Sequence, residues 1–149
     1  MPQKSLEQYW QAFAQMNCNR HGGKTAPHKA VLLLTVVEAI ESGVVKKNAI
    51  PFNEVLEDAF QKVWDRYVHD NDYFVCTAST PFWHMQNEPF WKLAYAGTSR
   101  QDVIVHGTPS AAKLKSLKAY ATLEGDLFSH LQNQETRDVL KALLIRMYL

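Results

Sequence analysis

The sequence predicts a mainly α domain with a small β-hairpin or sheet, an α+β fold with a winged-helix flavour built as one compact unit over residues 1–149. Three observations lead there. Apolar residues recur at helical spacing in the first and last thirds of the chain. One stretch, Ala30-Val31-Leu32-Leu33-Leu34 followed by Val36-Val37, is too apolar for a surface helix and too short to span a bilayer. Two aromatic runs, Pro81-Phe82-Trp83 and Pro89-Phe90-Trp91, flank a polar turn, as in a hairpin.

In chain order, a first helix is expected over residues 5–16, with Leu6, Trp10 and Phe13 on one face and Tyr9 and Met16 beside them. A second is expected over 27–42, capped by Thr25, with Pro27 in its first turn and Gly43 closing it. Asn53 should cap a third, which carries Leu56, Phe60, Val63, Trp64 and Tyr67 at helical spacing. A short strand at 73–76, the hairpin at 80–93 and a strand at 103–105 supply the β part. Thr108-Pro109-Ser110 starts a helix over 111–118, and two more follow over 124–132 and 135–148.

Composition narrows the function classes. The chain has 46% hydrophobic and 21% charged residues and a net charge of +1, ordinary for a globular protein. Two cysteines, Cys18 and Cys76, make neither a disulfide framework nor a zinc set. With no signal-peptide core in the first residues, the expectation is a cytoplasmic protein that does not enter the membrane. The charge is unevenly spread. No Asp or Glu occurs from Gln8 to Val37, a window holding Arg20, Lys24 and Lys29, nor from Val103 to Leu123, a window holding Lys113, Lys115 and Lys118. One positive face on a nearly neutral protein is a reading this allows, beside chance clustering.

The loop Asn19-Arg20-His21-Gly22-Gly23-Lys24 runs straight into the apolar helix. A helix N-terminus presents free N–H groups and partial positive charge, and Lys24, His28 and Lys29 add donors at the same end, a pattern suited to phosphate. No catalytic constellation is evident. His69-Asp70-Asn71-Asp72 reads as a solvated polar loop without metal-nuclease partners, and there is no Walker-type loop or supported nucleophile. No enzyme activity, metal or cofactor is expected.

The block Pro27-His28-Lys29-Ala30-Val31-Leu32-Leu33-Leu34, followed about fifty residues later by Pro81-Phe82-Trp83-His84-Met85, resembles the DNA sulfur-binding domains of bacterial modification-dependent restriction endonucleases. The resemblance covers roughly residues 5–149. It implies a domain that binds double-stranded DNA and recognises a phosphorothioate, and that sits N-terminal to an HNH nuclease in a longer chain. It implies that His28 and Lys29 meet the modified phosphate, that Thr80, Pro81 and His84 wall the sulfur pocket, and that Phe82 supports the wall from inside. The family tends to have an aromatic residue where Thr80 stands and uses Arg near Lys29. Arg20, His21, Lys24, Arg100, Lys113, Lys115 and Lys118 are candidate contacts to the DNA backbone. A reader of unmodified or base-modified DNA, a protein-interaction module using the hairpin aromatics, and a homodimer remain open.

Overall fold

A computed structural model describes residues 3–21, 23–69, 74–97 and 107–149, with the His21 side chain left aside. Seven helices and two small antiparallel sheets are seen among the described residues. Their order is α1 (Leu6–Ala14), β1 (Arg20–His21), β2 (Lys24–Thr25), α2 (His28–Glu41), β3 (Ile50–Pro51), α3 (Glu54–Tyr67), α4 (Ser79–His84), a 3-10 turn (Met85–Asn87), β4 (Trp91–Tyr95), α5 (Ala111–Ser116), β5 (Ala119–Leu123), α6 (Gly125–Leu131) and α7 (Gln134–Tyr148).

The apolar run becomes the central helix. In α2, every residue from Lys29 to Val37 is buried, which is what a helix without a polar face requires. It packs against α3, α4, α6 and α7. Thr35 is accommodated because its hydroxyl donates to the Val31 carbonyl at 2.7 Å. The helix stops where expected: Ser42 is its last partly helical residue and Gly43 takes φ +83°, the left-handed conformation that glycine adopts without cost. Its start differs from expectation. Thr25 does not cap it. Thr25 pairs with Arg20 across the β1–β2 ribbon, and Pro27 occupies the cap position with no side-chain hydrogen bond. Asn53 does cap α3, its Oδ1 accepting from the Leu56 N–H at 2.9 Å.

The aromatic segment is not a hairpin. Residues 79–84 form α4, because Pro81 stands in the first helical turn, where its missing N–H is no loss, and Phe82 N–H bonds back to the Ala78 carbonyl at 3.1 Å. Glu88, preceding Pro89, is extended (φ −88°, ψ 147°), which ends the 3-10 turn and leads the chain toward β4. The sheet partner of β4 comes from elsewhere. β5 lies at the centre of the order β3-β5-β4, with Trp91 opposite Leu123 and Ile50 opposite Ala121. Ala119, Ala121 and Leu123 point inward in alternation. The stretch 74–77 carries no strand, and the strand expected at 103–105 lies outside the described residues.

The aromatics knit the sheet to the helices. The Phe82 ring meets Trp91 edge-on at 5.6 Å and Phe52 at 5.0 Å, and Trp91 Nε1–H donates to the Phe82 carbonyl at 3.1 Å. On α1 the inward face is Tyr9 and Phe13, with Met16 buried just beyond the helix, while Trp10, expected inside, stays 41% exposed. Among the described residues no helix is long and apolar enough to cross a membrane.

Candidate nucleic-acid interface

The two sequence blocks meet. A cavity of about 520 Å³ is lined by Asn17, Cys18, Asn19, Arg20 and Ala26 from the α1–α2 connection, by His28 and Lys29 from α2, by Phe74, and by Thr80, Pro81, His84 and Asn87 from α4 and its 3-10 extension. Six of the sequence candidates therefore share one cavity: Arg20, His28, Lys29, Thr80, Pro81 and His84. Phe82 does not line it; it is fully buried and packs on Phe52 and Trp91.

The β1–β2 ribbon positions Arg20. Gly23 at φ +79° makes the turn that pairs Arg20 with Thr25, and the exposed Arg20 guanidinium donates to the Gly23 carbonyl at 3.4 Å. His28 is half-buried. Its ring packs on Trp64 at 4.9 Å and edge-on against Phe74 at 5.9 Å. Nε2 lies 2.7 Å from the Val75 carbonyl. A carbonyl only accepts, so Nε2 carries the proton. Burial is the main influence on this imidazole and lowers its pKa below 6.5, the carbonyl bond opposing it, so His28 is neutral at pH 7. His84 is lowered as well, first by burial and then by the positive charge of Lys29, and its Nε2 lies 2.8 Å from the Thr108 hydroxyl.

Lys29 departs from its expected role as an exposed cation at a helix start. It is 9% exposed. Its ammonium donates to the Glu88 carboxylate at 2.6 Å and to the Asn17 carbonyl at 2.7 Å. The reason lies in the helix: position 29 opens the fully buried stretch of α2, and an ammonium there needs a counter-charge. Pro81 is buried too, in a helix rather than at a hairpin edge, yet still contributes to the cavity wall.

The other basic candidates lie elsewhere. Lys24 lines a separate cleft with Tyr67, His69 and Tyr148. Lys115 pairs with Glu57 of α3 at 2.6 Å. Lys118 does not share a helix face with it, because α5 ends at Ser116 and Lys118 sits beyond it at φ +53°. Both still border one cleft with Pro51 and Tyr120, and Lys113 is on α5 nearby in sequence. Arg100 lies outside the described residues, as does the His21 side chain. Sequence reasoning missed Asn17, Cys18, Asn19, Phe74 and Asn87 as lining residues. The Asn-Cys-Asn stretch directly before Arg20 was the available signal. Cys18 is held as a thiol, its pKa raised chiefly by burial, with Lys29 pulling down and Glu88 pushing up. Among the described residues no group of three His, Cys, Asp or Glu side chains converges to hold a metal ion.

The cavity thus has the Pro81 ring and the basic residue Arg20 among its lining residues. The architecture is similar to the sulfur-binding domain of ScoMcrA complexed with phosphorothioated DNA, with TM-score 0.73 and 20% identity over 94% of this chain and 86% of that one. It is similar to the sulfur-binding domain of SprMcrA complexed with phosphorothioated DNA, with TM-score 0.69 and 13% identity over 99% and 88%. It also matches the Type IV phosphorothioation-dependent restriction endonuclease ScoMcrA, with TM-score 0.71 and 21% identity over 94% of this chain but 29% of that longer one. No curated protein matches the sequence. The model of the ScoMcrA-like DNA sulfur-binding domain matches residues 6–149, nearly the whole chain, and the chain belongs to that family.

Proposed function

We propose that this chain binds duplex DNA and recognises a phosphorothioate in its backbone at the cavity between α2 and α4. The observation that carries the reading is the meeting of the Pro81 wall with Arg20 and His28, residues from distant segments, in that one cavity. A phosphorothioate replaces one non-bridging oxygen by sulfur, which is larger, softer and less hydrated. The Pro81 ring, the Thr80 methyl and the carbon edge of His84 gain dispersion and hydrophobic energy from sulfur that oxygen does not return. By area this is ~1–2 kcal/mol for one sulfur. Arg20 meets the charge that remains. The planar guanidinium gives the forked donation that a Lys at position 29 cannot.

His28 and Lys29 complete the site from α2: His28 through its ring, and Lys29 through whatever charge Glu88 leaves uncompensated. Thr80 in place of a ring makes the wall smaller. Contacts from Lys24, Lys113, Lys115, Lys118, His21 and Arg100 would hold the duplex without reading it, since phosphate contacts position and do not specify. The chain performs no catalysis in this reading. It is the recognition domain of a cytoplasmic, HNH-type restriction nuclease, and directs cleavage carried out by another domain.

The test is titration of one duplex with and without a single phosphorothioate. A preference for the modified duplex, with strong salt dependence for both, supports the reading. Equal affinity for the two makes the chain a reader of ordinary or base-modified DNA. No binding of either at low salt leaves a protein-interaction module.

A further inference from the structure

The ion pair beside the cavity has a layout of its own. Lys29 lines the cavity, whereas Glu88 does not. The carboxylate is thus bound to a lining residue without itself lining the cavity. Both side chains are nearly out of solvent, 11% exposed for Lys29 and 8% for Glu88. A single carboxylate oxygen, Glu88 Oε2, accepts from the Lys29 ammonium at 2.6 Å and from the Asn17 backbone N–H at 3.1 Å. Lys29 in turn reaches the Asn17 carbonyl at 2.7 Å. Three segments are thus tied at one point: the α1–α2 connection through Asn17, α2 through Lys29, and the turn that follows α4 through Glu88. Of the three ammonium donors, two are committed to these partners.

Resting on the phosphorothioate reading, we propose that Glu88 is a specificity-determining positioning residue. It holds Lys29 and compensates its charge, so that the apolar wall decides which backbone anion is retained. The reasoning is a difference of affinities. An uncompensated ammonium at the cavity would attract phosphate and phosphorothioate together, and would favour the oxygen anion, whose charge is the more concentrated. A compensated ammonium offers the plain phosphate little in return for its lost hydration. The sulfur, poorly hydrated to begin with, loses less on entry. Arg20, which lines the same cavity and has no acidic partner among the described residues, serves both ligands. Some of the Lys29 charge still reaches His84, whose pKa is lowered first by burial and then by Lys29; Glu88 tempers the field without erasing it.

The experiment compares the wild-type protein with Glu88→Gln and Glu88→Asp, each titrated with plain and singly phosphorothioated duplex across a range of salt. Gln keeps the size and removes the charge; Asp keeps the charge and shortens the arm. Glu88→Gln is expected to raise plain-duplex affinity about tenfold and modified-duplex affinity less, so the preference falls, with the salt slope steeper by about one unit. Glu88→Asp is expected to keep the wild-type preference and slope, which a purely structural role would not predict. A folded Glu88→Gln with wild-type plain affinity and slope overturns the proposal. If that variant does not fold, the double variant Lys29→Met/Glu88→Gln carries the test. With no buried charge left, it should lose only the residual contribution of Lys29, a few-fold in plain-duplex affinity with the slope shallower by well under one unit, and a loss of about tenfold or more with the slope shallower by a full unit would show Lys29 acting as a full cation and overturn the proposal. Plain affinity and slope are read without sulfur. A wild-type protein lacking any preference would therefore sink the functional reading while the charge effect of Glu88 was still measured.

Discussion

The imidazole of His28 donates from Nε2 to the backbone carbonyl of Val75 at 2.7 Å, and this bond ties the start of the central helix to the loop that follows α3. Because burial depresses its folded-state pKa, the ring stays neutral in the native state where the unfolded chain would already protonate. The unfolded state then binds more protons, so stability is fully present above the ordinary value of 6.5 and is lost as pH falls below it. Melting temperatures between pH 5 and 8 should show that decline. His28→Gln should remove the His28 share of the slope and leave that of His84, whose pKa is lowered in the same sense.

The buried pair predicts a stability effect distinct from its effect on selectivity. Lys29→Ala leaves the Glu88 carboxylate buried without its counter-charge and should cost about 3–5 kcal/mol in urea unfolding. Lys29→Met combined with Glu88→Leu should recover most of that, because an apolar pair needs no compensation. A Lys29→Ala variant as stable as wild type would mean that the pair is solvated in solution.

Pro81 is the cleanest probe of the wall. In the first turn of α4 an alanine preserves the helix and deletes the ring. Pro81→Ala should weaken binding of a phosphorothioate duplex by ~1 kcal/mol, the scale of one lost apolar contact, and leave the plain duplex nearly unchanged. Circular dichroism checks that the helix survives. Equal losses on both duplexes would make the wall a general DNA contact.

His84 should report on charge at the same wall. His84→Asp places an anion beside the bound thiophosphate and should abolish the preference and most of the binding. In the wild type, acidification that protonates His84 adds a positive charge, so affinity for DNA should rise as pH drops below the ordinary imidazole range. His84→Asn should flatten that rise. Titrations at matched ionic strength decide it.

The lysines on and just after α5 separate holding from reading. Lys113→Gln, Lys115→Gln and Lys118→Gln together should weaken all duplexes alike and leave the sulfur preference intact. The salt slope should fall by about two units rather than three, because Glu57 already compensates Lys115 at 2.6 Å. A loss confined to modified DNA would contradict their assignment to the backbone.

Much of this was legible in the sequence because it depended on local patterns. The all-apolar face of α2, the Asn53 cap and the Gly43 stop follow from neighbours along the chain. The gathering of His28, Pro81 and His84 was legible only through family resemblance, since no periodicity brings residues about fifty apart together. The hairpin expectation failed at Pro81. Two aromatic runs around a polar turn suit a hairpin, but a proline at the third helical position also suits a helix, and tertiary packing of Phe82 on Phe52 and Trp91 favoured the latter. β5 was missed because its inward residues, two alanines and a leucine, are weak strand formers between helical signals. Lys29 was misjudged for a related reason. An acid-free window from Gln8 to Val37 suggests an uncompensated cation, and the compensating Glu88 comes from far outside that window.

The most direct test of the account is a competition experiment with stereochemically pure duplexes. A labelled phosphorothioate duplex bound to the wild-type protein is displaced by unlabelled plain, Rp or Sp duplex of the same sequence. A cavity with the Pro81 wall on one side and Arg20 among its other lining residues is asymmetric, so one stereoisomer should compete well and the other little better than plain DNA. If plain duplex displaces the label as effectively as both stereoisomers, the cavity does not read sulfur and the central claim is wrong.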